Sequence, residues 1–162
     1  MKVLPVILLA LMSAQAQSLE VRIVPNTPLF EDYGCHRYEG DEAVRAALQL
    51  IASARLNITI ATRTFENAAV SNLIARKAKS VDVRLYSSNP INISGDINVY
   101  KVKSDGVGTN IKVDYSFTGM GDIDFAEPMH VRSSFLVCHS PETNKASVKF
   151  DEFLHSGVKV GY

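Results

Sequence analysis

The chain has 162 residues, enough for one domain and seldom two. Its 17 Lys and Arg balance 17 Asp and Glu, which excludes a strongly basic nucleic-acid module while leaving room for a local basic patch. A hydrophobic fraction of 46% is that of an ordinary globular protein.

Residues 1–16 have the three parts of a cleavable signal peptide: Lys2, an apolar run from Val3 to Met12, and small residues at Ala14 and Ala16. The run is much shorter than the ~20 residues that cross a bilayer. The expected product is a secreted domain spanning 17–162 with no transmembrane segment, extracellular or, in a bacterium, periplasmic. Export makes a disulfide between Cys35 and Cys138 chemically permissible. Pairing depends on Cα separation in the fold, and the alternative is two buried thiols. Asn57 and Asn92 both open glycosylation acceptor triplets, of which Asn92, in a loop, is the better placed.

Leu19 to Val24 alternates as a half-buried strand does, and 25–40 is rich in Pro and Gly, as a loop is. Asp41 is positioned to cap a helix reaching about Arg55, whose Val44, Ala47, Leu48, Ile51 and Ala54 recur at helical spacing. Asn57 to Arg63 is a β-rich run. Glu66 to Lys79 again has helical spacing, and Val81 to Tyr86 is a third strand. Strands alternating with amphipathic helices predict an α/β fold with a largely parallel or mixed sheet flanked by helices. Further on, 97–103 and 111–117 alternate as strands that pair as a hairpin or lie adjacent in the sheet. Residues 118–128 read as a loop, 129–137 as a strand, 146–150 as a weaker strand, 151–155 as a helical turn and 158–160 as a last short strand.

No phosphate loop, Cys-x-x-Cys pair, zinc-binding His-Glu-x-x-His helix or Gly-x-Ser-x-Gly elbow is present. His36, His130, His139 and His155 are dispersed, so no metal site is expected. His130 has the most informative context, because a Gly- and Asp-containing stretch delivers the chain into a strand there. Residues two apart on a strand share a face, which pairs His130 with Arg132. An imidazole can attack phosphorus or carry a proton near neutral pH, and a cation beside it can hold phosphodiester oxygens. On these residues alone, a surface His and Arg on a half-exposed strand is the better explanation of the pair. Asp122, Asp124 and Glu127 can orient His130 or bind a cation, or simply face solvent. Arg76, Lys77 and Lys79 suit a helix C-terminus. Phe65, Tyr86 and Phe135 belong to a core.

The helix over 41–55, the strand and aromatic turn over 57–65, and the helix leading to Val81-Asp82-Val83-Arg84-Leu85 resemble the opening of phospholipase D domains. Met129-His130-Val131-Arg132 falls where that superfamily has its His-x-Lys motif. The nearest in style are its single-motif members, small secreted endonucleases and mitochondrial cardiolipin hydrolase-like nucleases. The resemblance implies a hydrolase, a phosphodiesterase acting on nucleic acid or, in lipid degradation, on phospholipid, with no cofactor. It implies a phosphohistidine on His130, a phosphate clamp at Arg132, and a homodimer whose partner supplies the second histidine. Ser133 and Ser134, as substrate-binding hydroxyls, and His139 are this chain's own candidates to substitute in part for what it lacks of that pattern. Three features depart from the pattern: Arg132 replaces lysine, Val137 stands at the motif's aspartate, and the Gly-Ser-x-Asn stretch is missing. They leave two further readings open. One is a catalytically inactive secreted domain that acts as a binding module. The other is an unrelated secreted α/β domain.

Overall fold

The computed structural model describes residues 34–102, 108–139, 154–155 and 157–160. The leader, the strands expected at 19–24 and 146–150 and most of the turn expected at 151–155 lie outside these residues.

The element order is β1 (Gly34–Glu39), α1 (Gly40–Ser53), β2 (Asn57–Ala61), α2 (Ala68–Lys77), β3 (Asp82–Ser87), β4 (Ile97–Lys101), β5 (Thr109–Val113), β6 (Phe117–Asp124), β7 (His130–His139) and β8 (Val158–Lys159). The described strands form one mixed sheet in the order β1-β7-β6-β5-β2-β3-β4-β8. Strands β2, β3 and β4 are parallel neighbours, and every other pairing is antiparallel.

Helix α1 buries Ala43, Ala46, Ala47, Leu48, Leu50 and Ile51, and α2 buries Val70, Leu73 and Ile74. Both pack on one face of the sheet with Ile58, Ile60, Val83, Leu85, Ile111 and Phe135 in a single core. Removing this apolar surface from water is the main term holding helices to sheet, about 25 cal/mol per Å2. Chain entry into β2 is fixed by Asp114, whose carboxylate accepts backbone N–H bonds from Arg55, Leu56 and Asn57 at 2.8–3.1 Å. Lys77 donates to the Ala54 carbonyl at 2.8 Å, and burial pulls its pKa below the usual lysine value despite the opposing pull of Asp114.

Four local expectations give way. Part of the 25–40 loop is β1, an edge strand made regular by its pairing with β7. Asp41 does not cap α1; Glu39 holds the N-cap position without a side-chain bond, and Asp41 lies in the first turn. Strands β4 and β5 are not neighbours, because β5 joins β2 on one side and β6 on the other. Most of the 118–128 loop is β6. Its glycines serve close packing rather than turning: a Cβ on Gly119 would sit 2.4 Å from the Phe135 ring, and one on Gly121 2.3 Å from the Ser134 carbonyl oxygen.

Candidate active site

The sheet directions converge on one end, toward which β1, β2, β3, β4 and β6 run and from which β5, β7 and β8 depart. The carboxyl ends of parallel strands are where α/β folds gather ligands, because the departing loops leave a crevice. In this chain that end is polar. Thr62, Thr64, Asn67, Ser87 and Thr109 are all buried there.

Most of these groups are tied to backbone. Thr109 gives its hydroxyl proton to the Ile123 carbonyl, so Thr62 is the donor in the 2.8 Å bond between the two threonine hydroxyls. Ser87 donates to the Arg63 carbonyl at 2.7 Å and accepts from the Asn89 N–H at 3.1 Å. Asn67 is the N-cap of α2, where its side-chain oxygen accepts from the Ala69 and Val70 N–H groups at 3.0 and 3.2 Å. The Asn67 amide donates to Glu127 at 2.9 Å, and its backbone N–H donates to the Phe125 carbonyl at 2.8 Å. One residue thus joins the start of α2 to the turn that precedes β7. That turn contains the cis peptide Glu127–Pro128.

His130 opens β7 at this end and is the register partner of Asp124, the last residue of β6. The side chains of His130 and Ser133 lie outside the described residues. Arg132 is exposed and Ser134 half-buried, and Ser134 is paired with Glu39 of β1. The register of β7 on β6 shifts between Gly121 and Ile123, so the segment holding Arg132 and Ser133 bulges from the ladder. Val137, at the motif's aspartate, is 1% exposed in the helix-side core.

The other singled-out residues fall elsewhere. Phe65, Tyr86 and Phe135 are buried. Helix α2 starts at this polar end of the sheet and finishes at the opposite end. Arg76 and Lys79 therefore line a separate cleft with Asn72, Ser94, Gly95 and Asp96. Asn92 is exposed, while Asn57 is half-buried at the start of β2. Cys35 and Cys138 are register partners on β1 and β7, 4.0 Å apart at Cα, and form a disulfide. Among the described residues no three His, Cys, Asp or Glu side chains group as metal ligands would.

Sequence reasoning missed Asn67 and the Thr62–Thr109 pair. The only local signal was a polar residue one place ahead of the α2 periodicity, the pattern of an N-cap.

No protein-family model matches the sequence, and no protein of curated function matches it. Solved structures do match in shape. NucT from Helicobacter pylori superposes with a TM-score of 0.64 at 17% identity, covering 80% of this chain and all of that one. Nuc from Salmonella typhimurium, described as a phospholipase D family member, gives 0.61 at 16%, covering 79% and 97%. Phosphatidylserine synthase from Haemophilus influenzae gives 0.60 at 9%, covering 78% of this chain and 39% of its own. At such identities the likeness establishes the fold alone, an α/β fold shared with these structures, of which Nuc is described as a phospholipase D family member.

Proposed function

We propose that the chain is a secreted phosphodiesterase of phospholipase D type, with His130 as nucleophile and Arg132 as phosphate clamp. The observation that carries this reading is the position of His130. It starts a strand at the polar end of a sheet with this fold, where the parallel strands finish.

In the proposed reaction the His130 imidazole attacks phosphorus. A P–N bond forms, and the P–O bond to the leaving alcohol breaks. A second imidazolium, His130 of a symmetric partner, gives its proton to the departing oxygen. The now neutral partner imidazole then takes a proton from water. That water attacks phosphorus and releases His130 with a phosphate monoester. Arg132 holds the non-bridging oxygens, where charge builds in the transition state. Ser133 and Ser134 lie beside it in sequence and add hydroxyl donors. The substrate is a phosphodiester of nucleic acid or phospholipid. Two observations support export: the 1–16 leader pattern and the Cys35–Cys138 bond.

Val137 favours a second reading. The motif's carboxylate position is occupied by a core side chain, as expected of a domain that binds phosphodiesters without cleaving them. Turnover of bis(p-nitrophenyl) phosphate by the mature protein decides between the readings. Wild-type hydrolysis that is lost in His130→Ala supports the enzyme. Binding without hydrolysis supports the module.

A further inference from the structure

We infer that Asp124, which faces His130 across the β6–β7 strand pair, is its positioning residue. Asp124 and His130 are Cα register partners at the ends of β6 and β7. Directly opposed residues of an antiparallel pair have Cβ atoms about 4.5–5.5 Å apart, within reach of a carboxylate–imidazole hydrogen bond.

The second observation concerns the carboxylate itself. Asp124 is half-buried, and its Oδ1 is sealed from solvent with no hydrogen-bond partner among the described residues. A carboxylate oxygen withdrawn from water without a donor is costly, so the site calls for an N–H or O–H at that point. The register places an imidazole, with an N–H to give, on the facing residue.

The other charged groups near this position differ in kind. Asp122 on β6, Glu127 in the turn, Glu39 on β1, and Arg63 and Glu66 between β2 and α2 are all exposed. Glu127 is already engaged by Asn67. Arg132, on β7 itself, is exposed and opposes imidazole protonation. Exposed charges are screened by water and salt, so the recessed Asp124 dominates.

A carboxylate on one ring nitrogen fixes the tautomer, aims the other nitrogen, and raises the affinity of the ring for a proton. The inference rests on the proposed reaction only for its effect on rate; its effect on the imidazole exists whether or not the protein turns over. The test is therefore an NMR titration of the mature protein with ring-labelled histidine, with the His130 signal identified by its loss in His130→Ala. Asp124→Asn lowers the His130 midpoint by about one pH unit, and Asp124→Glu restores part of that shift. With turnover, Asp124→Asn lowers kcat by about ten- to a hundredfold, as loss of a histidine-orienting partner does elsewhere. It also moves both limbs of the pH–rate profile to lower pH, because each imidazole of the pair loses its own carboxylate. A purely structural role would change stability and leave the midpoint in place. If Asp124→Asn fails to fold, Asp124→Ser serves with the same expected shift. A His130 midpoint unchanged in the folded variant overturns the inference. A shifted midpoint in a protein without turnover upholds it and rejects the proposed reaction instead.

Discussion

The side-chain amide of Asn67 reaches Glu127, sixty residues further along the chain, at 2.9 Å, while its oxygen caps α2. This contact links helix α2 to the turn that introduces His130. Loss of both functions in Asn67→Ala should cost about 1–2 kcal/mol, the range for an N-cap with an added hydrogen bond. Asn67→Asp keeps the cap acceptor but sets a carboxylate against Glu127, so it should fall between wild type and alanine. Urea midpoints order the three proteins, and an alanine variant as stable as wild type would refute the link.

The Cys35–Cys138 bond closes a loop with a sequence separation of 103. On the chain-entropy model such a loop stabilises by about 4–5 kcal/mol through the unfolded state. Urea unfolding with and without dithiothreitol, repeated on Cys35→Ser, should show a difference of that order for wild type and none for the variant. Because β1 is an edge strand, reduction should raise hydrogen exchange there first.

Gly119 allows the Phe135 ring and Leu50 to close over β6. Gly119→Ala introduces a Cβ that would lie 2.4 Å from the ring, and should destabilise by about 1–3 kcal/mol. Shortening the ring in Gly119→Ala/Phe135→Leu should recover part of the loss, giving a double-mutant cycle that is not additive. Additive costs would place the problem elsewhere.

Tyr86 and Tyr100 stack at 4.5 Å with planes 8° apart. Burial raises the Tyr86 pKa above 10.0, the nearby Tyr100 adds to this, and Arg84 opposes both. The folded state therefore holds the phenolic proton longer than the unfolded state does. The stability this gives is complete below pH 10.0 and is lost as pH rises through the folded-state value. Tyr86→Phe should flatten the alkaline fall in thermal midpoint. An unchanged slope would assign the fall to other groups.

If two His130 imidazoles share one proposed site, activity depends on association. Light scattering should find a dimer, and specific activity should drop on dilution through its dissociation range. Full activity from a strict monomer would reject the shared site, whatever the role of His130. Activity should survive EDTA, since the proposed nucleophile and acid are both imidazoles; abolition by EDTA and restoration by zinc or magnesium would reject that mechanism.

Helices α1 and α2 and strands β2, β3 and β7 were legible because their periods are local. Apolar residues at three- and four-residue spacing make a helix face wherever the helix lies, and β-rich runs between helices make parallel strands. The likeness of 41–86 and of His130 to the phospholipase D pattern was legible for the same reason, as short motifs in chain order. Strand β6 was not, because Gly119 and Gly121 read as turn formers until Phe135 is packed against them. The insertion of β5 between β6 and β2, the pairing of Cys35 with Cys138, the contact of Asn67 with Glu127 and the register of Asp124 against His130 all join residues distant in sequence. Nothing local encodes such partners. They are chosen by the sheet as a whole, when burying one face leaves each strand a single register that satisfies its backbone hydrogen bonds.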